Sequence, residues 1–228
     1  AKVDNTAVQD GYQIYHHTMI FTPGGQWAVV QQGMNEGTGW ARRYHWLSER
    51  LRDFVCEPHA AVCCDHRGRP LNMVAEASGE ARRASALLAC ESPEQLVREF
   101  EQARILRLPA AHPLGPEQLR PQSLRQILLS TYERQPQDFE TLLGIQGVGP
   151  KTIRALALLS ELVHAAPPAY EDPAKFAFAH GGKDGYPFPV DRETYDRSIT
   201  FLQEAVSKAR LEQTDRLHAF RRLKGFAL

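Results

Sequence analysis

The 228-residue chain lacks a net charge, a long hydrophobic run and a dense set of cysteines. Its 27 basic and 27 acidic residues balance, so the surface is not basic throughout. Binding of nucleic acid would therefore require a local basic patch. No apolar run approaches the ~20 residues that span a bilayer, and no secretory signal is visible, so we expect no membrane association. Four cysteines in a chain of this length do not indicate a secreted disulfide framework. A cytoplasmic location is therefore predicted.

Strand-forming residues are concentrated near the N-terminus. The segments 11–21 and 26–32 flank the turn residues Thr22-Pro23-Gly24-Gly25, which predicts a β-hairpin. The apolar residues of segment 40–54 recur at helical spacing, which predicts a helix. The basic residues of this segment alternate with aromatic ones along the chain: Arg42, Arg43, Arg50 and Arg52. They either contact phosphates or form a solvent-exposed face of a helix whose other side packs on the core.

Helical patterns dominate the rest of the chain. Helices are predicted over 80–90, 92–107, 122–134, 138–143, 151–164 and 193–220. The helix over 151–164 is apolar around most of its circumference, so we expect it at the centre of the core. The predicted fold is mainly α. An α+β portion with the β-hairpin, residues 1–80, precedes an all-helical helix-hairpin-helix domain, residues 81–228.

The segment Gly144 to Thr152 is typical of a tight turn between two helices. Gly144 suits the end of the first helix, and Pro150 suits the start of the second. Gly147 and Gly149 allow the backbone to turn with its N–H groups exposed. These groups and the N-terminus of the second helix make an anion site, and in a nucleic-acid context the anion is a backbone phosphate.

The run Gly147-Val148-Gly149-Pro150-Lys151-Thr152, with Pro189-Val190-Asp191 after it, resembles the helix-hairpin-helix base-excision DNA glycosylase superfamily. The resemblance implies that Lys151 attacks the sugar carbon that holds a damaged base and that Asp191 assists. The resulting Schiff base permits β-elimination of the strand. The implied partner is double-stranded DNA with a damaged base, and no cofactor is expected. We predict DNA contacts at these residues: Gly147, Val148, Gly149, Thr152, Arg154, His180 and Lys183.

Alternatives stay open for these residues. Lys151 is equally suited to a phosphate contact without catalysis, and Asp191 to capping the helix that follows. If neither residue is catalytic, the protein is a non-catalytic DNA-binding part of a larger metal-dependent nuclease or DNA-processing protein. A further alternative is that the turn contacts only protein. The interval between Lys151 and Asp191 is longer than is usual in the superfamily. Segment 165–188, which lies within this interval, either forms a pocket for a flipped base or packs its aromatic residues on the core.

The whole chain also resembles the C-terminal part of an uncharacterised prokaryotic family, in which an N-terminal half precedes a segment like Lys2-Val3-Asp4. Because the chain begins at Ala1 without methionine, we expect a fragment or processed product and a missing N-terminal region. One cluster has the residue types of a zinc site, but its spacing matches no common zinc motif, so no metal is predicted. The residues of this cluster are Cys56, His59, Cys63, Cys64 and His66.

Overall fold

The computed structural model describes residues 1–64, 66–105, 121–174, 192–209 and 213–224. The chain divides into two compact units, Ala1–Ala177 and Phe178–Leu228. Within its described residues, the first unit contains two antiparallel sheets and five α-helices, and the second contains two α-helices.

The strands of the first unit form one large and one small sheet. In chain order they are β1 (Val8–Gln9), β2 (Gln13–Phe21), β3 (Trp27–Met34), β4 (Ala41–Leu47), β5 (Ala61–Cys63) and β6 (Leu71–Asn72). The large sheet has the order β2-β3-β4-β5, and every neighbouring pair is antiparallel. Strands β1 and β6 pair separately. A π-helix, Val3–Ala7, precedes β1.

The predicted β-hairpin is confirmed by strands β2 and β3. The N–H of Thr22 donates to the Gln26 carbonyl at 2.8 Å and closes the connection. Gly25 has a φ of +85°, a conformation that favours glycine. The register places His16 opposite Gln32 and His17 opposite Gln31. The two adjacent histidines therefore point to opposite faces of the sheet, as expected for a strand.

Strand β4 lies where the sequence predicts a helix, so the predicted helix over 40–54 and the predicted mainly α fold are wrong. The fold is α+β. In β4 the side chains of Arg42, Tyr44 and Trp46 are buried, whereas Arg43 is exposed. This alternation has the period of a strand. The sequence hides it because the buried Arg42 resembles a solvent-facing residue.

The helices of the first unit follow the sheets in the chain. They are α1 (Gly79–Leu88), α2 (Pro93–Ile105), α3 (Pro121–Arg134), α4 (Phe139–Gly144) and α5 (Pro150–His164). Helix α5 is buried along most of its length, from Thr152 to Ser160 except for the half-buried Arg154, and α1, α2 and α3 pack around it. Its predicted position at the centre of the core is therefore confirmed.

One apolar core joins residues from both sides of position 80. Val8, Met73, Leu88 and Leu156 all belong to this cluster. Shared packing does not measure which part of the chain folds alone, so the predicted division into 1–80 and 81–228 stays a prediction.

The described part of the second unit consists of α6 (Arg192–Lys208) and α7 (Gln213–Lys224). The sequence predicts a single helix over 193–220, whereas the structure has two. Across the described parts of both units, no helix combines the length and the apolar character needed to cross a membrane.

Candidate functional site

The predicted turn between two helices is present between α4 and α5. Helix α4 is capped by Asp138, whose carboxylate accepts a hydrogen bond from the Thr141 N–H at 2.7 Å. The connection that follows, residues 145–149, is called the α4–α5 turn below. It is anchored by Ile145 and Val148, whose side chains are buried in the core. Gln146 is exposed, so the turn projects from an apolar base into solvent.

The two glycines of the α4–α5 turn differ in backbone conformation. Gly147 has a φ of +90°, which other residues rarely adopt. Gly149 has a φ of −139° and a ψ of −170°, ordinary extended backbone. A Cβ added at Gly149 would meet only the Gly147 carbonyl oxygen, 4.0 Å away. No contact within the described residues therefore explains glycine at position 149, and its missing side chain leaves the start of α5 open.

The first turn of α5 is a favourable position for an anion. Gly149 is the N-cap residue and carries no side chain that accepts from the helix, and Pro150 follows it. The N–H groups of Lys151 and Thr152 belong to the first helical turn, where the backbone has no internal acceptor. Together with the positive end of the helix dipole, they form the geometry that binds phosphate groups in proteins.

The predicted side chains around this helix start have different environments. Lys151 is exposed. Thr152 is 1% exposed, and its hydroxyl has no hydrogen-bond partner among the described residues. Its side chain therefore does not reach a ligand at the surface, although its N–H belongs to the helix start. Arg154 is half-buried, and burial lowers the pKa of its guanidinium. Its Nε donates to Gln9 Oε1 at 2.9 Å.

Two residues near the N-terminus also contact this region, and no sequence pattern predicts either contact. Lys2 Nζ donates to the carbonyl of Ile145 at 2.6 Å. Gln9 Nε2 donates to the carbonyl of Pro150 at 2.8 Å, while its Oε1 accepts from Arg154. Lys2 thus adds a second lysine beside the α4–α5 turn. Its partner is 143 positions away, so no local sequence signal identifies it.

Three predicted site residues lie outside the described residues. These are the assisting carboxylate Asp191 and the predicted DNA contacts His180 and Lys183. The structure therefore brings together the glycines of the turn, Lys151 and the N–H of Thr152, and it leaves the relation between Lys151 and Asp191 as a prediction.

A buried carboxylate holds the N-terminal segment against the large sheet. Asp4, in the π-helix, is fully buried and accepts three hydrogen bonds. The donors are Gln31 Nε2, Trp46 Nε1 at 3.0 Å and His59 Nε2 at 2.5 Å. Because the π-helix directly follows Lys2, this network also fixes the chain that reaches the α4–α5 turn.

A second buried cluster is centred on Arg42 of β4. Its guanidinium donates to Asp10 at 2.8 Å and to Asp172 at 2.9 Å. Burial raises the pKa of Asp10 above its ordinary value, although Arg42 and Tyr44 donate hydrogen bonds to it. Burial acts in the same direction on Asp172, but hydrogen bonds from Arg42 and from two backbone N–H groups outweigh it and lower the pKa. The cluster therefore fixes the segment after α5 to the large sheet.

The cluster with the residue types of a zinc site does not assemble into one. In the part of the chain that the structure describes, no three His, Cys, Asp or Glu side chains come together as metal ligands would. His59 instead bonds to Asp4, and Cys64 Sγ lies 3.3 Å from Tyr12 Oη.

Comparison with known proteins places the chain in a family. Residues 1–190 match the family described as "Protein of unknown function (DUF763)". The chain belongs to this family. The DUF763 match confirms the predicted likeness to an uncharacterised family, and it includes Lys2, the α4–α5 turn and Lys151. Neither the curated proteins nor the solved structures contain a match to this chain.

Proposed function

We propose that this DUF763 protein binds the backbone of double-stranded DNA through the α4–α5 turn, as a helix-hairpin-helix. The observation that carries the proposal is the open start of α5, where neither the backbone conformation of Gly149 nor any contact with the described residues requires glycine. A phosphate there accepts hydrogen bonds from the first-turn N–H groups. Lys151 and Lys2 supply the local basic patch that a chain of zero net charge needs.

A matched pair of charge substitutions tests this proposal. In Gly149→Asp the new carboxylate occupies the phosphate position, while Asp at an N-cap is a favoured residue and preserves the fold. We expect duplex affinity to fall at least about tenfold, which corresponds to 1.4 kcal/mol. Gly144→Asp is the control: it adds the same charge at the exposed last residue of α4, where no atom of the described residues lies within 4 Å of the new Cβ.

The readout is fluorescence anisotropy on a short duplex at several salt concentrations, with melting temperatures as the folding control. Equal duplex affinity of the two folded variants would contradict the proposal. Absence of duplex binding by the unmodified protein at low salt would also contradict it, and would leave the turn as a contact for protein.

A second proposal adds catalysis at the same turn: a base-excision glycosylase with lyase activity through a Schiff base on Lys151. The supporting observation is the position of Lys151 in the first turn of α5, beside the proposed phosphate site. Its exposed side chain is equally suited to the phosphate contact without catalysis. Asp191 is the proposed assisting carboxylate.

Borohydride trapping on duplexes that carry an abasic site or an oxidised base tests the lyase proposal. We expect a covalent adduct that Lys151→Gln removes. Lys208→Gln, which changes an exposed lysine of α6, keeps the adduct. Duplex binding without any adduct contradicts lyase chemistry. It then favours a non-catalytic DNA-binding part of a larger nuclease or DNA-processing protein.

A further inference from the structure

Strand β2 is the longer of the two edge strands of the large sheet. The sheet has the order β2-β3-β4-β5, so β2 pairs with a strand on one side only. At the opposite edge β5 has three residues, whereas β2 has nine. A long edge strand offers unpaired N–H and C=O groups to a further strand, and proteins usually keep such edges short or covered. Of these two edges, β2 is therefore the one that can accept another strand.

The beginning of β2 is covered. The register between β2 and β3 shifts between Ile14 and His16, as in a β-bulge. Beside this irregularity, the N–H of Ile14 donates to Asn5 Oδ1 at 3.1 Å. A bulge and a covering segment are two of the ways in which proteins protect a sheet edge. Regular pairing with β3 resumes at His16 and continues to Phe21, so the question concerns this second part of the strand.

The hydrogen bonds of the sheet show which backbone groups of β2 point outward. Trp27 donates from its N–H to Ser48 Oγ and accepts at its carbonyl from the Ser48 N–H, both at 2.9 Å. The backbone of Trp27 thus faces away from its partner in β2, Phe21. Such positions alternate with hydrogen-bonded ones along an antiparallel pair, so the N–H and C=O groups of His17, Met19 and Phe21 point away from the sheet. Among the described residues, these groups have no hydrogen-bond partner.

The side chains along this open edge are apolar and exposed. Met19, Ile20 and Phe21 are 55%, 58% and 75% exposed. Strand β2 contains no Asp, Glu, Lys, Arg or Pro. Charged residues and proline are what proteins place on an edge strand to keep other strands away. The second part of β2 therefore combines unpaired backbone groups with apolar side chains, and it carries none of these protective residues.

We propose that β2 pairs with β2 of a second copy of this chain, antiparallel and about a two-fold axis at Met19. His17 and Phe21 lie at equal distances on either side of Met19. Met19 therefore pairs with the partner's Met19, and His17 pairs with the partner's Phe21. Each of these pairs exchanges two hydrogen bonds, so every outward group of the open edge gains a partner. The two four-stranded sheets become one continuous sheet of eight strands.

The sequence of β2 suits a second copy better than a charged partner strand. Because β2 has no Asp, Glu, Lys or Arg, the pairing brings no like charges of these residues together, and a charged strand finds no complementary charge there. In this register Ile20 lies opposite the partner's Thr18, and the exposed side chains of Met19 meet at the axis. A two-fold interface uses the same surface of both copies, so the assembly stops at a dimer.

Sedimentation velocity over a range of protein concentrations tests the inference. We expect the unmodified protein to form a dimer that dissociates on dilution. Met19→Lys opposes two positive charges across the two-fold axis, so we expect the dimer dissociation constant to rise about tenfold. Leu129→Lys adds the same charge at a similarly exposed apolar residue of α3 and keeps the dimer as the matched control. A monomer at every concentration, or a dimer that Met19→Lys leaves intact, overturns the inference.

Cysteine cross-linking tests the register of the pair. Residues that face each other in hydrogen-bonded pairs have Cα atoms about 5.5 Å apart, a distance that a disulfide spans. We therefore expect Met19→Cys to form a covalent dimer under mild oxidation. Phe21→Cys is the control, because the two copies of this position are separated by roughly 14 Å along the strands. The unmodified protein with its free cysteines gives the baseline. Equal cross-linking of the two variants overturns the proposed pairing.

The dimer does not rest on the proposed binding of DNA, because no residue of β2 belongs to the α4–α5 turn. Gly149→Asp should therefore keep the dimer, whatever its effect on duplex affinity. Loss of the dimer in a folded Gly149→Asp variant would contradict the assignment of the interface to β2. Melting temperatures of all variants verify folding.

Discussion

Lys2 donates a hydrogen bond from its ammonium group to the backbone carbonyl of Ile145 across 2.6 Å. The contact joins the beginning of the chain to the α4–α5 turn. Gln9 strengthens the same connection through Pro150 and Arg154. One surface therefore combines the backbone of the turn, Lys151 and a lysine from a distant part of the sequence.

Replacement of Lys2 by methionine keeps a long, unbranched side chain and removes its charge. An ammonium group has three donors, so Lys2 can contact a phosphate while it donates to Ile145. We expect Lys2→Met to weaken duplex binding and to lower the salt slope by about 0.9, the value for one phosphate contact. Lys208→Met in α6 is the control. Identical slopes for Lys2→Met and the unmodified protein would exclude Lys2 from the DNA interface.

Substitution of Thr152 tests whether its side chain contacts DNA, as the sequence predicts, or is only buried in the core. Its hydroxyl is buried and has no partner among the described residues. Thr152→Val has nearly the same shape without that polar group, so we expect the free energy of unfolding to rise by about 1 kcal/mol. Duplex affinity should be unchanged, because only the N–H of this residue, and not its hydroxyl, belongs to the proposed phosphate site. Chemical denaturation and anisotropy measure the two quantities. Loss of affinity would show that the hydroxyl contacts DNA.

Substitution of Asp4 tests how much its hydrogen bonds, which hold the N-terminal segment to the large sheet, contribute to stability. Asp4→Ala leaves three buried donors without their acceptor, those of Gln31, Trp46 and His59. Each unsatisfied group costs about 1–3 kcal/mol, so we expect a loss of at least about 3 kcal/mol in urea denaturation. Glu36→Ala, at an exposed position, should change stability by less than about 0.5 kcal/mol. Similar stabilities for the two variants would mean that the network contributes little.

Asp172 makes stability depend on pH in a defined direction. Its pKa is lower in the folded protein than the ordinary value, because hydrogen bonds from Arg42 and from two backbone N–H groups outweigh the effect of burial. A carboxyl group with a lowered folded pKa stabilises the protein above its unfolded pKa of about 3.9. That contribution disappears as the pH falls through the folded pKa.

The comparison of Asp172→Asn with the unmodified protein measures this contribution. We expect Asp172→Asn to be less stable by about 2 kcal/mol near pH 7, the magnitude of hydrogen bonds to a charged group. The difference should shrink steadily below about pH 4. Urea denaturation at a series of pH values provides the curve. A difference that is constant with pH would mean that the charge of Asp172 has no part in stability.

Local signals account for the parts of the fold that the sequence predicts correctly. The turn residues before Gln26 indicate the β-hairpin. For α5, Pro150 and a long apolar run together indicate both the start of the helix and its burial. For α4, Asp138 lies at the start of a short helix and caps it. In each case the deciding residues lie within one element or beside it.

Contacts between distant residues explain where the sequence fails. Arg42 is buried because Asp10 and Asp172 pair with it, and Asp172 is 130 positions away. The local sequence of segment 40–54 contains no information on these distant partners. Its apolar residues recur at helical spacing, so it predicts a helix where the structure has strand β4. Thr152 resembles a surface contact at a helix start, and only tertiary packing buries it. Lys2 has no local signal that connects it to Ile145.

Backbone N–H groups of the α4–α5 turn and of the start of α5 are the groups that we propose to bind DNA phosphates. Nuclear magnetic resonance of the isotope-labelled protein, titrated with a short duplex, observes these groups directly. We predict that the amide resonances of Gly147, Gly149 and Lys151 shift on addition of duplex and return at high salt. Duplex binding that leaves these three amides unchanged while others shift would contradict the claim.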